Sequence, residues 1–200
     1  MTNNVTYQNL PVFMAGLIDG IIVPLTVYSF FSAVLEQQNN VILITMVTGI
    51  CMAIFLSVGA YLTRKGEIEH SEENKLAAIY NALEINEGLK QLMTQDTLKE
   101  KEIWQQQWNE SENDATNLSP GQYASTTGFG YLIGLLLVLL NGYFNPTDNL
   151  QFLILPLTAL ALAGFVKHKI AGQNPFIGML TVLLSGALAA ISNWLVAGLF

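Results

Sequence analysis

In the stretch FMAGLIDGIIVPLTVYSFFSAVL, residues 13–35, Asp19 is the one carboxylate in an otherwise apolar segment. Counted from Leu10 at about 1.5 Å per residue, it lies some 14 Å into an apolar helix, near the middle of a bilayer. A charged side chain at that depth costs about 2.5–3.5 kcal/mol on insertion scales. The basic residues, Arg64, Lys65, Lys75, Lys90, Lys99, Lys101, Lys167 and Lys169, all fall outside the apolar runs, so no basic partner is expected within a span. The carboxyl is then protonated, hydrogen-bonded, exposed to water in a cavity, or bound to a cation. Gly16 and Gly20 flank it at a small-xxx-small spacing that lets another helix come close. Pro24 frees the Gly20 carbonyl from its helical hydrogen bond. A carboxylate beside a freed carbonyl offers oxygens to a cation; the competing structural reading is a protonated Asp bonded to a neighbouring helix.

A second set of candidate ligands lies in the polar middle of the chain. Taken as one continuous helix at about 100° per residue, Glu69, Glu73, Glu84 and Glu87 fall within roughly a 60° sector. Hard divalent cations bind such oxygen clusters. The alternative is a charged helix face turned to water, and Leu76 and Tyr80 in or beside the sector speak for it. His70 is a further possible ligand.

The elements that must position these groups follow from composition. Only 12% of the residues are charged and 52% are hydrophobic, against roughly 25% charged in a soluble domain. Apolar runs occur at 10–35, 41–63, 123–147, 150–166 and 170–200. Each reaches the roughly 17–25 residues needed to span a hydrocarbon core, the fourth at the short end. The fold class expected is therefore an all-α integral membrane protein with five transmembrane helices. Residues 1–63 form the first two, residues 64–122 an insert, and residues 123–200 the last three. Six basic residues lie between runs two and three, two between runs four and five, and none in the other loops. Basic residues stay cytoplasmic, which sets the N-terminus and insert inside and the C-terminus outside. The N-terminus has no basic leader, so run one reads as a span, and a prokaryotic plasma membrane is the simplest location.

Within the insert, Leu76, Ile79 and Leu83 recur at helical spacing. Thr97 and Glu100 make a capping box ahead of a second helix that carries Trp104 and Trp108 on one face. A cytoplasmic helical hairpin is expected. "GQNP" at 172–175 separates the last two spans, with Pro at a helix start, and Pro156 suggests a kink in span four. Gly130, Gly134, Gly186 and Ala190 mark further close-packing faces. Cys51 is single, which excludes an intramolecular disulfide, and it reads as core, as do Met46 and Met52. The chain holds no Ser/His/Asp or Cys/His set and no phosphate loop, so no enzyme and no resident cofactor are expected. Its basic residues are too few for nucleic acid.

"DGIIVP" (19–24), "GAYLTRKGEIE" (59–69), "GFGYLIGLLLVLL" (128–140), "LALAGFVKHKIAG" (160–172) and "GMLTVLLSGALAAISNWLVAGL" (178–199) together resemble the vacuolar iron transporter (VIT) family. Their order and spacing match across nearly the whole chain. The resemblance implies a homodimer with five membrane helices per subunit. It also implies movement of ferrous iron or manganese out of the cytosol in exchange for protons. Asp19 matches the family's span-one aspartate. The family's span-two "GEY" glutamate is replaced by Ala60, and no Met stands near Ile68, where the family has a thioether ligand. Glu84 and Glu87 give one of the family's Glu-x-x-Glu pairs. The Ala60 departure leaves an alternative, a non-transporting membrane protein that kept the scaffold and binds a partner through the insert.

Overall fold

The computed structural model describes residues 4–35, 37–69, 118–144 and 150–199. Among them the chain forms five long helices: α1 (Asn4–Val34), α2 (Gln38–Glu69), α3 (Pro120–Phe144), α4 (Ile154–Ile170) and α5 (Pro175–Ala197). A 3-10 turn, Leu150–Leu153, leads into α4. No strand occurs among the described residues. Four of the helices are long and apolar enough to cross a membrane: Asn9–Val34, Gln38–Ile68, Pro120–Phe144 and Pro175–Ala197. The remaining helix, α4, has 17 residues, about 25 Å of helix, and is not among these four.

Pro156 does not kink α4. The helix begins at Ile154 after an N-cap at Leu153, so the proline stands in the first turn, where backbone N–H groups have no helical acceptor in any case. The 3-10 turn takes up the residues that the apolar run had assigned to the helix. The α4–α5 corner follows the expected punctuation. Gly172 has φ +67°, and Gln173 N donates to His168 O (2.9 Å) while Gly172 N donates to Lys169 O (3.3 Å). That is a Schellman end, which places glycine in the left-handed region. Asn174 Oδ1 then accepts from Phe176 N (3.0 Å) as the cap of α5.

Helix α1 is the centre of the molecule and packs against each of the other four. Ile21, Leu25 and Tyr28 are fully buried and share a core with Val41, Val138, Leu160, Ala163, Val182 and Ala190. The tightest seam is α1 against α3. Gly16 lies on the Thr127 backbone and Gly20 on that of Tyr131, while Gly130 lies on Phe13 and Leu17, and Gly134 on Leu17, Gly20 and Ile21. The two small-residue motifs therefore face one another. Contacts that climb together (16 with 127, 20 with 131) make α1 and α3 parallel, and Ile22 at Gly186 places α5 beside them. Ser57 at Gly128 and Gly49 at Leu135 make α2 antiparallel to α3, and α4 runs against α5 in the same way, with Leu160 at Gly186 and His168 at Gly178. This alternation is what short connections between successive spans require.

Polar ties hold the ends. Tyr28 OH (3.2 Å) and Gln38 Nε2 (2.6 Å) both donate to Gly142 O, and Asn141 Nδ2 donates to Phe152 O. At the opposite end, Arg64 is 9% exposed. Its Nη1 meets Glu67 Oε2 at 2.9 Å, and its Nε donates to Leu118 O at 3.3 Å. α2 continues unbroken past position 63 to Glu69, and the chain returns at Leu118 beside Arg64.

Candidate ion site at Asp19

From Asn9 to Ser32, Asp19 is the one residue of α1 with an exposed side chain; its neighbours Ile18 and Gly20 are buried. The seam with α3 fixes this orientation. Gly16 and Gly20 must face the α3 backbone, and Ile18, Ile21 and Leu25 must face the core, so position 19 is left on the open side. Pro24 is fully buried and leaves the Gly20 carbonyl without its helical donor, one residue from the carboxylate.

Two groups from other helices act on Asp19 electrostatically. One is Lys167 of α4. The other is Tyr131 of α3, which is fully buried and whose hydroxyl has no hydrogen-bond partner. Among the described residues no ion pair joins Lys167 to Asp19, as expected of a carboxylate with no basic residue in its span. The apolar run ends at Val166, but the helix continues to Ile170, and Lys167 is half-buried where Lys169 is exposed. The signal was present in the helical row Pro156, Leu160, Ala163, Gly164, all buried, which Lys167 extends at i+3 and i+4.

Of the remaining candidates, Glu69 is the one the structure describes, and it stands away from this point. Glu69 is the last residue of α2, twelve residues beyond the Ser57–Gly128 contact, or about 18 Å further along the helix. Glu73, Glu84, Glu87, His70, Trp104 and Trp108 lie outside the described residues. Among the described residues no three His, Cys, Asp or Glu side chains come together. Cys51, expected in the core, is exposed, as are Met46 and Met52. The buried row of α2 runs through Val41, Thr45, Gly49 and Ala53 instead. Two open clefts, about 480 Å³ between α2 and α3 and about 570 Å³ between α1 and α3, are lined without Asp19.

A family model described as the VIT family matches residues 64–198, more than half of the chain. The chain belongs to the VIT family. No match is found among curated proteins. Membership implies transport of metal ions across a membrane, in accord with the apolar helices. The matched segment holds α3, α4 and α5. α1, with Asp19, and Ala60 of α2 lie before it, so their place in the VIT pattern rests on the "DGIIVP" and "GAY" resemblance. Ala60 is half-buried, and a side chain added at its neighbour Gly59 would meet nothing within 4 Å.

Proposed function

We propose that this VIT-family chain moves a divalent cation of the iron or manganese type out of the cytosol, in exchange for protons, along a path between two copies lined by Asp19. The observation that carries the reading is the exposure of Asp19 on a helix that is otherwise covered from residue 9 to 32. A carboxylate held out of the packed core at mid-membrane depth is costly against lipid and useful against a cation. Metal and proton compete for the same oxygens, which couples the two fluxes. In this reading the insert faces the cytoplasm, its acids Glu69, Glu73, Glu84 and Glu87 collect metal, and the C-terminus lies outside a prokaryotic plasma membrane.

The experiment is uptake of ferrous, manganous and cobaltous ions by sealed proteoliposomes with an internal pH reporter. Metal flux with counter-moving protons is expected for the wild type and is lost in Asp19→Asn, with an unchanged gel-filtration profile. Undiminished flux in Asp19→Asn overturns the reading. A second reading, a scaffold that has lost transport, is favoured by Ala60; it predicts no flux with any divalent ion.

A further inference from the structure

We propose that the Tyr131 hydroxyl is an outer ligand of the Asp19 site, holding a water that the bound cation keeps in its shell. The inference rests on the reading of Asp19 as an ion site and adds the class of cargo, a divalent cation that crosses partly hydrated.

Tyr131 is fully buried, and its hydroxyl has no hydrogen-bond partner. Buried polar atoms are nearly always bonded, so one left over calls for an explanation. Tyr28, just as buried, gives its hydroxyl to Gly142 O. Among the described residues Asn9 Oδ1 and Ser29 Oγ also lack a partner. Asn9 is only half-buried, and a serine hydroxyl can turn to a carbonyl of its own helix. A tyrosine hydroxyl, at the far end of its ring, cannot.

The packing turns this hydroxyl toward Asp19. Gly20, the chain neighbour of Asp19, lies on the Tyr131 backbone. Tyr131 joins Ala53 of α2 and Leu135 in a small buried cluster, with Val23 and Leu56 packed against it. Val23 and Asp19 are one turn apart on the same side of α1. The ring therefore leaves α3 on the side of α1 that carries the carboxylate. Side chains in a helix lean toward its N-terminus, and α1 and α3 are parallel, so Asp19 and Tyr131 lean the same way. The two groups also act on each other electrostatically.

The chemistry gives the hydroxyl its task. A hard divalent cation takes about six oxygens. Asp19 and the Gly20 carbonyl supply only part of that shell, and no cluster of further ligands surrounds them among the described residues. Water makes up the rest, and its protons need acceptors where bulk solvent is excluded. The Tyr131 oxygen accepts from such a water. Being neutral, the hydroxyl leaves the competition of metal and proton for the carboxylate oxygens as it is.

The test uses the full-length protein in nanodiscs of neutral lipid, with Mn²⁺ alone as probe and free Mn²⁺ followed by electron paramagnetic resonance. Binding lost in Asp19→Asn defines the Asp19 component. Tyr131→Phe is expected to weaken that component roughly tenfold. It should leave the melting temperature equal or higher, because phenylalanine keeps the ring and removes a buried oxygen that had no partner. Binding that survives in Asp19→Asn is expected to be the same in Asp19→Asn/Tyr131→Phe. An Asp19 component that Tyr131→Phe leaves unchanged or strengthens overturns the inference and leaves Asp19 as an ion site. A lower melting temperature, or an equal loss in the Asp19→Asn background, shows a hydroxyl that serves the fold and overturns it as well. Equal Mn²⁺ binding by wild type and Asp19→Asn overturns the site reading and the inference together.

Discussion

Position 60 is one of the places where this chain departs from the VIT pattern it resembles. A second carboxylate shares the charge of a divalent ion and adds oxygens to its shell, and affinity in oxygen sites rises with ligand charge. Ala60 is half-buried and followed by Tyr61 on a helix antiparallel to α3. The Ser57–Gly128 and Gly20–Tyr131 contacts set position 60 about one and a half turns from the level of Asp19, on the Arg64 side. Ala60→Glu is therefore expected to increase manganese uptake at low concentration by roughly tenfold, measured as initial rates in proteoliposomes; an unchanged rate would place position 60 off the path. Asp19 was legible from sequence because a carboxylate in an apolar run has few explanations. The half-burial of Lys167 was not, because an apolar run marks where hydrocarbon ends and not where the helix ends.

The four glycines between α1 and α3 decide how the central helix sits, and with it the direction of Asp19. A methyl group at Gly20 would collide with the main chain of Tyr131, whereas one at Gly59 would meet open space. Overpacking of this kind costs about 1–3 kcal/mol, and replacing an unconstrained helical glycine by alanine gains up to about 1 kcal/mol. Gly20→Ala should accordingly lower the detergent melting temperature by several degrees, and Gly59→Ala should leave it equal or higher, both read by scanning fluorimetry. Equal effects of the two would mean that the seam does not bear on stability. The spacing of Gly16, Gly20, Gly130 and Gly134 announced close approach, since only small residues permit it. What spacing cannot announce is which motif meets which. That depends on α1 and α3 running in parallel, a property of the whole chain path. The start of α4 was obscured for a related reason, because Pro156 suits a first turn as well as a kink.

One face of the molecule stays unexplained by a single chain. α2 and α5 each bury a narrow row, Val41, Thr45, Gly49 and Ala53 in one and Gly178, Val182, Gly186 and Ala190 in the other, and present the rest outward. Much of that outward surface is apolar, as at Phe55, Leu62, Leu184 and Leu188, and lipid suits it. Lipid does not suit Asp19. A second copy related by a two-fold axis would cover the open side of α1 and set like residues opposite each other, giving two Asp19 carboxylates along one path. Ala15 lies one turn from Asp19 on the same side of α1 and reports on that arrangement. In a Cys51→Ser background, Ala15→Cys should form an oxidant-induced cross-linked species of twice the 21.9 kDa chain mass, while Leu162→Cys, on the exposed face of α4, should not. A cross-link at Leu162 alone would put the partner on the wrong face. Neither cross-link, with a single-chain mass in nanodiscs, would leave Asp19 facing lipid, and the path between two copies would have to be abandoned.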